Sequence, residues 1–72
     1  MDKKVTMIKP NKEILFIELG GQCWFWTLRS LKNWSIINDG KFVFNHYVNL
    51  KEFVSSWKKE GFKVVEGSEL LE

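Results

Sequence analysis

Between Val48 and Phe62 the chain carries signals for the start, middle and end of one helix, so any fold it adopts must offer a surface to that helix. In Asn49-Leu50-Lys51-Glu52, Asn49 can accept from the amide three residues on while Glu52 reaches back to the Asn49 amide. That is a capping box, satisfying two donors that a helix start leaves unpaired. Val48 and Phe53 are spaced to touch as a hydrophobic staple. Leu50, Phe53, Val54 and Trp57 follow at i, i+3, i+4 and i+7 as one apolar stripe, with Lys51, Glu52, Ser55, Ser56, Lys58 and Lys59 elsewhere on the surface. Gly61 supplies a left-handed residue to end the helix, Lys58 and Lys59 sit at the negative end of its dipole, and Phe62 can fold back on Trp57. The sequence therefore predicts an amphipathic helix over about 49–60.

A chain of 72 residues buries only about 60% of its unfolded surface, so its core is small. Cys23 is the only cysteine and His46 the only histidine, which excludes an intrachain disulfide and a zinc site built from such ligands. Dense aromatic packing or self-association has to supply the missing stability. Six Phe, one Tyr and four Trp give the material for either. No apolar run reaches the ~18 residues of a membrane span, and no signal-peptide pattern is visible, so the expected setting is cytoplasmic. A net charge of +2 with charges of both signs falls short of the concentrated basic face of a dedicated nucleic-acid binder.

Around the helix the pattern is that of strands. Val5-Thr6-Met7-Ile8 alternates before Pro10-Asn11, which ends any strand by Lys9; residues 1–12 read either as an edge strand or as a loose arm. Glu13 to Leu19 is a strand with Leu15, Ile17 and Leu19 on one face and Ile14 and Phe16 on the other. Gly20-Gly21 suits a tight hairpin into a second strand, Gln22 to Arg29. That strand places Trp24, Trp26 and Leu28 on one face and Cys23, Phe25, Thr27 and Arg29 on the other. Trp34 to Ile37 reads as a short strand, Asn38-Asp39-Gly40 as a turn, and Lys41 to Val48 as a further strand with Phe42, Phe44, His46 and Val48 on one face. Phe62 to Glu66 makes a last strand, and residues 67–72 read as a solvated acidic tail: Ser68 is a fair helix cap, but five residues cannot hold a helix without tertiary contacts. The expected fold is α+β, an antiparallel β-meander of three to five strands with the helix packed on one face.

The residues for catalysis are sparse. Cys23 lies beside Trp24 within a strand and reads as a small buried hydrophobe; His46 reads as a structural histidine. No pair of carboxylates is spaced for acid–base work, and Gly20-Gly21 lacks the following helix of a phosphate loop. The expectation is therefore no catalytic residue, no metal, no cofactor and no small-molecule substrate.

One helix cannot cover both faces of a sheet whose strands are apolar on both. The leftover face is the expected working surface, with Trp24, Phe25, Trp26, Arg29, Lys32 and Trp34 as partner-binding candidates. Whether Trp24 and Trp26 belong to that face or lie under the helix stays open at this level. The segment Trp24-Phe25-Trp26-Thr27-Leu28-Arg29-Ser30, followed by a strand and a helix, resembles the repeat unit of the small YegP-like domains over less than half the chain. Asn33-Trp34 stands where that family has its Asn-Gly turn, and the resemblance implies no activity. The expected role is a non-enzymatic module that binds a protein partner, or itself as a homodimer, as an accessory or inhibitor protein. The alternative is single-stranded nucleic acid, its bases stacked on Trp24, Trp26 and Trp34 and its phosphates held by Arg29 and Lys32.

Overall fold

The helix-covered face of the sheet is where the core lies. The computed structural model describes residues 3–43 and 47–72. Five strands form one antiparallel sheet in the order β4-β3-β2-β1-β5: β1 (Lys4–Lys9), β2 (Glu13–Gly20), β3 (Cys23–Ser30), β4 (Ile36–Val43) and β5 (Lys63–Glu66). Among the described residues a single α-helix, α1 (Tyr47–Lys59), lies between β4 and β5 in the chain, and a 3₁₀ turn over Ser68–Leu71 follows β5. This is the α+β meander that the sequence predicts.

Residues directly opposite one another share a face, so the ladders define two layers of side chains. The inner layer runs Val5, Ile17, Trp26, Gly40 across one row, and Met7, Leu15, Leu28, Asn38 across the next. Leu50 and Val54 of α1 settle onto it, and together with Val5, Met7, Leu15, Ile17, Trp24, Leu28 and Phe62 they form the buried core. Phe53 and Trp57 extend the same stripe towards β4: Phe53 stacks on Phe42 at 4.5 Å, and Trp26 lies 5.8 Å from Phe53 and 6.0 Å from Trp57. Each fully enclosed Leu or Val is worth about 1.5–3 kcal/mol against leaving it in water, which is why the stripe docks here.

The helix ends as its sequence requires. Gly61 takes φ 105°, its amide donates to the Lys58 carbonyl, and the Phe62 amide donates to the Trp57 carbonyl. These are the two bonds of a Schellman motif, closed by the Phe62 and Trp57 rings edge to face at 5.2 Å. The start differs. Because α1 begins at Tyr47, Asn49 sits within the first turn and the Asn49–Glu52 capping box is not what opens the helix. A cap is worth about 1 kcal/mol, too little to hold a boundary against the rest of the fold. The Val48–Phe53 staple and the proposed face of Phe44, His46 and Val48 lie outside the described residues and side chains.

Three further expectations are corrected. The segment Lys4–Lys9 is neither a loose arm nor an edge strand: it pairs with β2 on one side and β5 on the other, and Val5 and Met7 are fully enclosed. Its modest apolar content is enough because both of its edges are hydrogen-bonded. The turn at Asn38-Asp39-Gly40 does not form, and Ile36 to Val43 is one strand instead of parts of two. Turn residues permit reversal without compelling it, and β3 offers a ladder from Cys23 to Arg29 that a chain reversal at Asn38 would leave half satisfied. The 67–72 tail is docked: Leu70 and Leu71 pack against the core. Its 3₁₀ turn starts from Gly67 at φ 85°, with no capping bond from Ser68.

The β2–β3 hairpin is displaced by one residue from the expected Gly20-Gly21. Gly20 is the last ladder residue, paired with Cys23, and Gly21-Gln22 is the loop. Only Gly21 takes a positive φ, 66°, at the first central position where a type II′ turn places its glycine.

Candidate functional site

With α1 on the inner face, the opposite face of the sheet faces solvent. The row Ile8, Ile14, Arg29, Ile36 crosses β1 to β4 there, next to the row Thr6, Phe16, Thr27, Asp39 and the row Glu18, Phe25, Lys41. At the far end Val43 sits opposite Cys23. Phe25 is 47% exposed, Val43 65%, and Ile36 and Ile37 are comparably open. The ladder shifts register between Leu28 and Arg29, so Ile37 is a bulged residue beside Ile36.

Trp34 joins this face from the β3–β4 connection. Among the described residues it is one of two non-glycine residues with positive φ, 58°, a conformation disfavoured for a bulky side chain by about 1–2 kcal/mol. The connection holds it there. The Trp34 amide donates to the Ser30 carbonyl at 2.8 Å, the Ser30 amide to the Ser35 carbonyl at 2.9 Å, and Asn33 accepts from both the amide and the hydroxyl of Ser35. The left-handed turn carries the indole onto the sheet, edge to face with Phe16 at 6.0 Å, yet leaves it 53% exposed. Arg29 clamps the same residue twice: its guanidinium lies 5.1 Å from the ring centre and donates to the Trp34 carbonyl at 2.8 Å.

The six partner-binding candidates are thus divided. Phe25, Arg29 and Trp34 share the outer face, and Lys32 is exposed in the adjoining connection. Trp24 and Trp26 do not belong to it. Trp24 is wholly enclosed in the core, and Trp26 lies half-buried under Phe53 and Trp57. The reason is strand alternation: a residue type suited to binding is still confined to the face its register assigns. Phe16, Ile36, Ile37 and Val43 are the members of the face that the sequence did not single out. Phe16 was legible from its place opposite Leu15 and Ile17, whereas Ile36, Ile37 and Val43 depended on β4 being one strand.

The charge on this face is mixed. Lys4, Arg29, Lys41 and Lys63 are interspersed with Glu18, Asp39 and Glu66, and Glu66 is drawn off to Lys4 at 3.7 Å and to the Thr6 hydroxyl, which donates to it at 3.0 Å. Cys23 is a half-buried free thiol on this face and not the enclosed hydrophobe expected. Among the described residues no group of three or more His, Cys, Asp or Glu is placed to hold a metal ion, and no helix is long and apolar enough to cross a membrane.

Compared with family models, curated proteins and solved structures, the chain matches none, so the likeness of residues 24–30 to the YegP-like repeat has no support beyond those residues, and the outer face stands on its own geometry.

Proposed function

We propose that this chain is a non-enzymatic binding module that engages a protein partner, or a second copy of itself, through the outer face of its sheet, in the manner of an accessory or inhibitor protein. One observation carries the reading: Phe25, Trp34, Ile36, Ile37 and Val43 are all large, apolar and about half exposed or more, and all lie at the β3–β4 side of a single face. Scattered exposed hydrophobes need no explanation, but a set gathered on one face of a small domain marks a contact surface. The strained Trp34 supports it, since a ring held outward at an energetic cost by Arg29 and the Ser30–Ser35 bonds is a preorganised anchor. The lone Cys23 thiol fits a reducing, cytoplasmic setting.

Single-stranded nucleic acid has less in its favour. That reading drew on three indoles, and two of them are spent on the core and the helix interface. Arg29 is committed to Trp34, and carboxylates interrupt the remaining cations.

Trp34→Gly is the discriminating variant, because glycine accepts φ 58° without strain while the anchor ring is deleted. Affinity capture from a cell extract, with circular dichroism to confirm the fold, should show a partner retained by the wild type and lost by Trp34→Gly. If a folded Trp34→Gly, combined with Ile36→Thr and Val43→Thr, retained every partner and the wild-type self-association, the outer face would not be the binding surface.

A further inference from the structure

We propose that two copies of this chain join along β4, antiparallel about a two-fold axis at Gly40, so that two five-stranded sheets become one continuous sheet; the inference rests on the outer-face reading and names a second copy as the occupant. The two edges of the sheet are unlike. β5 has four residues, among them Lys63 and Glu66, and is short and charged as sheet edges usually are. β4 has eight, it is the terminal strand at the other side, and no described strand pairs with its far edge. Its outward amides and carbonyls are a template for another strand.

The occupant is indicated by charge and register. From Ile37 to Val43 the strand is centred on Gly40, with Asp39 on one side of it and Lys41 on the other. When the strand is laid antiparallel against its own copy with the two Gly40 residues opposed, Asp39 of each copy faces Lys41 of the other, and Ile37 of each faces Val43 of the other. Both ion pairs and both apolar pairs form on the outer face, since Asp39, Lys41 and Val43 stand opposite Thr27, Phe25 and Cys23 of β3. A slip of two residues in either direction loses that matching, setting Asp39 against Asp39 or Lys41 against Lys41. Neither Asp39 nor Lys41 is ion-paired to a described residue within the chain, so both charges are available to a second copy. On the inner face the axis falls between two glycines, each roofed by its own Trp26 indole, and Asn38 of each copy faces Phe42 of the other. Such an interface is isologous, as closed dimers require. A single edge strand buries less than the roughly 1,200–2,000 Å² of a standard interface, so the association should be reversible and visible only over a concentration series.

Sedimentation equilibrium across such a series, on the full chain, tests this. Wild type should pass from monomer to dimer. Lys41→Asp sets two carboxylates opposite each other on both sides of the axis and should weaken the dimer roughly tenfold. Asp39→Lys should do the same by opposing two ammonium groups, and the double variant Asp39→Lys with Lys41→Asp should return to within about threefold of wild type. The two mirror-image single variants guard against one of them failing to fold. A monomer at every concentration, or a dimer indifferent to the single changes or unrescued by the double one, overturns the β4 pairing. Trp34 precedes β4, so its Trp34→Gly variant in affinity capture judges the outer-face reading separately: partner loss there with no β4 dimer would leave that reading intact.

Discussion

The indole of Trp26 roofs Gly40 on the neighbouring strand so closely that a Cβ at position 40 would lie 2.9 Å from its Nε1. The ring cannot easily swing aside, because Phe53 and Trp57 pack on it at 5.8 and 6.0 Å. Alanine ordinarily gains about 0.5–1 kcal/mol over glycine inside a strand, whereas overpacking costs about 1–3. Gly40→Ala should therefore lower stability by about 1 kcal/mol, read as a shift in urea midpoint at constant slope. A stabilised variant would mean that the ring is not held where the structure places it.

Gly67 and Gly21 both take positive φ but should respond very differently to alanine. At Gly67 a Cβ would run into the Lys4 carbonyl and the Val5 backbone of β1, whereas at Gly21 nothing lies within 4 Å. Gly21→Ala should cost only the left-handed penalty of about 1–2 kcal/mol. Gly67→Ala should cost about 3 kcal/mol or more, since backbone must move, and it should release the Ser68–Leu71 turn from the core. Equal midpoints for the two variants in chemical denaturation would refute the close approach of Gly67 to β1.

The two faces of the sheet should separate in a mutational series. Leu50 is enclosed beneath the sheet, so Leu50→Ala should lose about 2–5 kcal/mol. Val43→Thr, on the open face, keeps the branched side chain that suits a strand and should stay within about 0.5 kcal/mol. Thermal melts of the two variants at one low protein concentration, where a second copy contributes little, provide the comparison. A large loss at Val43 there would mean that the outer face is covered within one chain.

Arg29→Lys isolates the clamp on Trp34. Lysine keeps the charge but loses the flat guanidinium that both covers the ring and reaches the Trp34 carbonyl. About 1 kcal/mol of local order should go with it, and acrylamide should quench one tryptophan more strongly while the enclosed Trp24 remains shielded. Unchanged quenching would show that Arg29 does not hold the ring.

How much of this could be read beforehand depends on the range of the rule involved. The Leu50–Trp57 stripe, the Gly61 stop and the Phe62 contact with Trp57 involve residues a few positions apart, and local spacing was enough for all of them. The split of Trp24 and Trp26 from Phe25 also followed from alternation, but nothing along the chain indicated which set the helix would take. The outer site was harder still. Ile36, Ile37 and Val43 flank Asn38-Asp39-Gly40, whose residues suit a hairpin, and that local preference concealed a single strand.

By itself the sequence determined that there would be one amphipathic helix with a defined end, several strands apolar on both sides, and more greasy surface than that helix could shelter. Tertiary structure alone decided that β1 lies inside the sheet, that β4 runs unbroken along β3, and which aromatic rings stay open to solvent. The physical reason is that periodicity and capping act over a few residues and are worth a kilocalorie or so apiece. Strand pairing instead obliges backbone donors and acceptors far apart in the chain to find one another, and that obligation overrides a local turn or cap wherever the two disagree.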